Sequence, residues 1–63
     1  MKIITANFKI IDNIGCNYES TIEIKNPETY NTIYEIQKKI TQVYNVKIEQ
    51  IIKIDNINES NHY

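Results

Sequence analysis

Lys2–Ile11 reads KIITANFKII, and Asn17–Lys25 reads NYESTIEIK, with Asp12–Cys16, DNIGC, between them. In the first stretch Ile4, Ala6, Phe8 and Ile10 alternate with the polar Thr5, Asn7 and Lys9. In the second, Tyr18, Ser20, Ile22 and Ile24 alternate with Glu19, Thr21 and Glu23. A period of two over this length marks a strand buried on one face. The connection holds the only glycine, Gly15, which supplies the positive φ of a tight reversal. The two stretches therefore form a hairpin. The expected register sets Phe8 against Ile22 and Ala6 against Ile24, and it places Lys9 beside Thr21 with Glu19 and Glu23 on the diagonals.

Beyond the hairpin, Asn26-Pro27-Glu28-Thr29 is a helix-start signal, with Asn26 as cap and Pro27 as first helical residue. Asn31 is the alternative cap if that segment forms a separate turn. Ile33, Ile36, Ile40 and Val43 then make one apolar stripe. Glu35 and Lys39, four apart, are expected to pair in water on the other side. The helix should stop near Tyr44-Asn45, since asparagine tolerates the left-handed conformation. In the last element Ile52 and Ile54 are expected to face inward, leaving Ile51, Lys53 and Asp55 outward. Residues 58–63, NESNHY, lack periodicity and read as a flexible tail to a single domain over 1–57.

The order strand, strand, helix, strand gives a two-layer α+β domain with the helix on one face of a three-stranded sheet. A right-handed crossover places the third strand beside the first, so the expected strand order is 2-1-3. The tetrapeptide IDNI occurs at residues 11–14 and again at 54–57. The first and third strands run antiparallel, which puts Asp12 and Asp55 at opposite ends of the sheet. The two copies then cannot share a metal, and both read as strand ends where Asp and Asn make local turns.

A chain of 63 residues buries only about 60% of the surface that it exposes when unfolded. Domains of this size commonly lean on a staple or a partner. Cys16 is the sole cysteine and His62 the sole histidine, so the chain has no internal disulfide and no zinc ligand set. The single cysteine points to a reducing, cytoplasmic setting. The N-terminus is interrupted by Thr5, Asn7 and Lys9, unlike a signal-peptide core or a transmembrane span.

Nothing in the chain assembles a catalytic group. Cys16 has no base within reach, a single glycine cannot build a phosphate loop, and Glu19 and Glu23 alternate onto a solvated face. The reading is a protein that is not an enzyme and carries no cofactor. Two surfaces remain for binding. Tyr30 and Tyr34 border the helical stripe together with Gln37 and Thr41, and tyrosine is enriched where proteins bind one another. On the open sheet face, Ile11 and Ile51 are expected near one end, Ile3 and Ile57 near the other.

Seven lysines, no arginine, eight acids and a net charge of -1 leave no basic stripe for nucleic acid. The alternative of a nucleic-acid-binding module rests on Lys9, Lys38, Lys39, Lys47 and Lys53. A homodimer is a third reading. In its size, its poverty in cysteine and its richness in Ile, Lys, Asn and Tyr, the chain resembles the small accessory proteins of phages and prophages of low-GC bacteria. Anti-CRISPR inhibitors belong to that population. The resemblance implies a phage-encoded inhibitor that acts in the host cytoplasm by occupying a surface of a defence protein such as a CRISPR effector, with no membrane partner.

Overall fold

A computed structural model describes residues 1–61. Strand β1 spans Lys2–Ile11, β2 Asn17–Lys25, helix α1 Thr32–Tyr44 and β3 Ile51–Asn61, with a short 3-10 turn at Ile48–Gln50. The sheet is antiparallel in the order β2-β1-β3, and α1 lies on one face. The chain thus has the α+β fold with the 2-1-3 sheet that its patterning predicts.

β1 is central because both neighbours pair with it, and its inward residues Ile4, Ala6, Phe8 and Ile10 are each 3% exposed or less. Ile22 and Ile24 from β2, Ile36 and Ile40 from α1, and Val46 complete the core. Phe8, Tyr18 and Tyr44 stack in tilted contacts, with ring centroids 5.2 to 6.4 Å apart.

The hairpin keeps the predicted faces but slides by two residues. Ala6 opposes Ile22, Phe8 opposes Ser20, and Lys9 opposes Glu19. Asp12 explains the shift. Its Oδ1 accepts the N–H groups of Ile14 and Cys16 at 3.0 and 2.8 Å, and its carbonyl accepts from Gly15, whose φ is +86°. A turn closed so tightly lets the strands pair up to Ile11 and Asn17.

Asn26 does not cap the helix. It leaves the sheet at φ 54°, and its N–H donates to the Lys2 carbonyl. Asn31 is the cap, its Oδ1 accepting from the Tyr34 N–H at 3.0 Å. Asn45 ends α1 in the left-handed region, as expected, and the chain then folds Val46 back onto the core.

The apolar stripe is shorter than predicted. Ile36 and Ile40 are fully buried, whereas Ile33 and Val43 stay 44% and 55% exposed. A straight helix meets a twisted sheet best at its middle, so the two ends of the stripe overhang. Glu35, expected to pair with Lys39 in water, is instead 2% exposed.

β3 departs furthest from its reading. Ile51 opposes Ile10 and Lys53 opposes Lys9, leaving Ile52 as an extra residue; Asp55 opposes Asn7 and Asn58 opposes Thr5, leaving a second irregularity at Asn56-Ile57. Asn56 takes φ 50°, the left-handed geometry of a bulge residue. Each bulge resets the alternation. Ile51 and Ile54 therefore pack on the core, while Ile52, predicted inward, is 49% exposed. Ile57 likewise moves to the helix side, because Asn58 lies with Thr5 on the open face.

The second IDNI is accordingly a mid-strand bulge and not a strand end. About five residues of strand, roughly 17 Å, separate the level of Asp55 from Asp12. The polar stretch after Ile57 is no frayed tail as far as Asn61, because Asn58 to Asn61 pair with Thr5 to Lys2. Backbone pairing with the central strand orders it without any apolar side chain. His62 and Tyr63 lie outside the described residues.

Ile40→Ala should cost roughly 2–5 kcal/mol, most of the stability of so small a domain. Ile33→Ala and Val43→Ala, at exposed positions, should each cost less than about 1 kcal/mol. Urea unfolding of the three variants checks this, and equal losses would show that the helix phase is misplaced.

Candidate functional site

The six-residue connection 26–31 must carry the chain from the end of β2 to the start of α1, and one side chain holds it. Glu35, in the first turn of α1, points back into this loop. Its Oε1 accepts from the N–H groups of Glu28 and Thr29 at 2.6 and 3.3 Å. Its Oε2 lies 3.3 Å from the Lys38 ammonium and has no well-aligned hydrogen bond within the chain. Burial pushes the Glu35 carboxyl up, but the Glu28 N–H, the Lys38 ammonium and the Thr29 N–H together hold it below its ordinary value.

Lys38 is drawn into the same latch. It also approaches the Glu28 carboxylate at 3.6 Å and sits 5.6 Å from the centroid of the Tyr34 ring. The Glu35 carboxylate keeps the ammonium above its ordinary value against the opposing effect of burial. A second tie holds the start of the helix to the sheet. Thr32 Oγ1 donates to Glu59 on β3, and Glu59 also pairs with Lys2 at 2.7 Å.

These ties fix what the helix start displays. Tyr30 is fully exposed, Tyr34 is 48% exposed and Ile33 44%. Three large side chains thus stand on the surface within five residues, on backbone held by Glu35, by the Asn31 cap and by Thr32. Of the other residues placed on this flank by sequence, Gln37 and Thr41 are half-buried, and the Thr41 hydroxyl donates to the Lys38 carbonyl. Ile33 joins the tyrosines because the helix leaves it out of the core. No sequence signal distinguishes it from Ile36.

The open sheet face is mainly polar. Glu19, Lys9 and Lys53 form one row across the three strands, and Thr21, Asn7 and Asp55 form the next. They border a shallow depression of about 360 Å³. Thr21 Oγ1 donates to Asn7 Oδ1 at 3.0 Å, Lys53 pairs with Asp55 at 3.1 Å, and Lys9 stands 4.0 Å from Glu19. Ile11 lies on this face at 40% exposure. Ile51 does not, since the bulge turns it onto the core and leaves Ile52 outside.

The five lysines do not converge. Lys9 and Lys53 occupy the open face and each has a carboxylate within 4.0 Å. Lys38 and Lys39 belong to the helical layer on the other side, and Lys47 precedes the 3-10 turn. Cys16 is exposed in the hairpin turn. Among the described residues no group of three or more His, Cys, Asp or Glu could hold a metal ion, and no helix is long and apolar enough to cross a membrane.

No family model matches the chain, and no match is found among curated proteins or solved structures.

The lowered Glu35 value carries a sign. A carboxyl whose folded pKa is below its ordinary 4.5 contributes stability that is fully present above that value and is lost as pH falls through the folded one. Glu59, lowered by Lys2 and Thr32, acts in the same sense. Wild-type protein should lose stability between pH 6 and pH 3, and Glu35→Gln should lose less over that range from a lower starting point. Urea midpoints at the two pH values decide it; parallel losses would remove Glu35 from the acid response.

Proposed function

We propose that this chain is a non-catalytic protein-binding module whose contact surface centres on Tyr30, Ile33 and Tyr34. The observation that carries the reading is that these residues are exposed although the fold holds their backbone in place. Large aromatic side chains on an ordered scaffold bind with little loss of conformational entropy, which is the character of interface anchors. The occupant best suited to such a surface is a protein with an apolar cleft that admits an aromatic ring.

The compositional resemblance to phage accessory proteins extends this proposal to an inhibitor. On that reading the module acts in the host cytoplasm by covering a surface of a defence protein, for which it needs a shape and not an active site. Engagement of Lys38 with Glu35, and the separation of the remaining lysines over two layers, weigh against nucleic acid as the partner.

The experiment is capture from the lysate of a low-GC bacterium that carries defence systems, with the tagged full chain and nuclease treatment before elution. A host protein recovered in stoichiometric amount, and lost with Tyr30→Ala or Tyr34→Ala, supports the reading. Each substitution is expected to weaken binding by about 10-fold or more, the scale of an interface anchor, while leaving the urea midpoint near that of wild type. Recovery only of nucleic acid, abolished by nuclease, would replace it with the alternative.

A further inference from the structure

Among the described residues β3 is an edge strand paired only with β1, and its pattern is self-complementary. The bulges at Ile52 and Asn56 convert its usual period of two into a period of three. Ile51, Ile54 and Ile57 consequently share the helix face, with Lys53 and Asp55 between them on the open face. Around Ile54 the arrangement is a palindrome: isoleucine, bulge, lysine, isoleucine, aspartate, bulge, isoleucine.

We infer that β3 pairs with β3 of a second copy of this chain, antiparallel about a two-fold axis at Ile54, joining two sheets into one of six strands. In this register Ile54 meets its own copy and Ile51 meets Ile57 of the second copy. Lys53 stands opposite Asp55 of the second copy, and the reciprocal pair forms on the other side of the axis. Each bulge faces the other bulge, so neither strand falls out of step. The match follows from the positions of the two irregularities, and a shift by one residue would destroy it by setting apolar side chains against charged ones.

Two features of the single chain point to the same occupant. The helix lies nearer β2 than β3, so the apolar side of β3 is incompletely covered. Ile51 and Ile54 are only half-buried, and Ile57 is 37% exposed. A second stripe of the same three residues would cover all of them. In addition, Lys53 sits directly opposite Lys9 on its inner side, a like-charge pair that Asp55 of the same chain, 3.1 Å from Lys53, and Glu19, 4.0 Å from Lys9, offset in part. A further carboxylate on its outer side adds to that compensation, and Asp55 of a second copy stands at that place.

The other edge does not compete. In β2, Glu19 and Glu23 flank the midpoint Thr21 on the same face, so pairing β2 with itself about that midpoint opposes glutamate to glutamate. The β3 pairing is isologous and closes on itself, and the bulges confine it to about seven residues. It uses a different surface from the Tyr30–Tyr34 site and does not depend on it.

Sedimentation equilibrium of the full chain at micromolar to millimolar concentrations should find a dimer. Lys53→Asp and Asp55→Lys each convert both cross-axis pairs into like-charge pairs, and each should weaken the dimer by about 10- to 100-fold. Mixing the two variants should restore association, because two acids of one chain then meet two lysines of the other. Circular dichroism of each variant confirms that changes at these open-face positions leave the fold intact. A wild type that stays monomeric at millimolar concentration overturns the inference. So does a dimer that ignores both reversals, or a pair of dissociated variants that do not combine when mixed.

Discussion

The fold depends on the placement of one strand between two others beneath a single helix. Because β1 is paired on both edges and covered on one face, its four inward side chains are almost wholly removed from water, and no other element is buried to that degree. The remaining core side chains pack against this row. A domain of this size has no second core to fall back on. Each departure from ideal geometry elsewhere is therefore tolerated only where it leaves the inward-facing packing of β1 intact.

β3 illustrates this tolerance. Its bulges interrupt the ladder with β1 at two places, yet the residues that pack inward between them, Ile51 and Ile54, still reach the core. Interruption of an edge strand costs less than interruption of a central one, since its outer hydrogen-bonding groups already face solvent. The same bulges shield the edge from open-ended pairing, and they set the three-residue spacing that makes the strand complementary to itself.

The connection between β2 and α1 is held by electrostatics. Pro27 and a left-handed Asn26 turn the chain off the sheet, and the loop then satisfies two of its N–H groups with the Glu35 carboxylate. A buried carboxylate is tolerated where hydrogen bonds and an opposite charge compensate its desolvation, and Lys38 provides that charge. The consequence for function lies next door, since the restrained backbone leads into Tyr30 and the first turn of α1. Exposure of Tyr30, Ile33 and Tyr34 is thus a property of an ordered segment.

Much of this was legible in the residues. Alternation in Lys2–Ile11 and Asn17–Lys25 determined two strands and their faces, Asp12 and Gly15 the turn, Asn45 the helix end, and the order of elements the 2-1-3 sheet. Those features follow from local backbone chemistry or from handedness, which act over a few residues or on any chain of the same order. The register of the hairpin was set by the local turn that Asp12 closes, whereas the choice of Asn31 over Asn26 as cap, the burial of Glu35 and the exposure of Ile33 and Val43 were decided by tertiary structure. So were the inward and outward phases of Ile51, Ile52 and Ile57. Each depends on how a particular side chain meets a partner distant in sequence: Glu35 and the loop, the helix and a twisted sheet, an irregular edge strand and β1. Isoleucine at Ile33 and Ile36 is the same residue in the sequence, and only the sheet beneath the helix makes one core and the other surface.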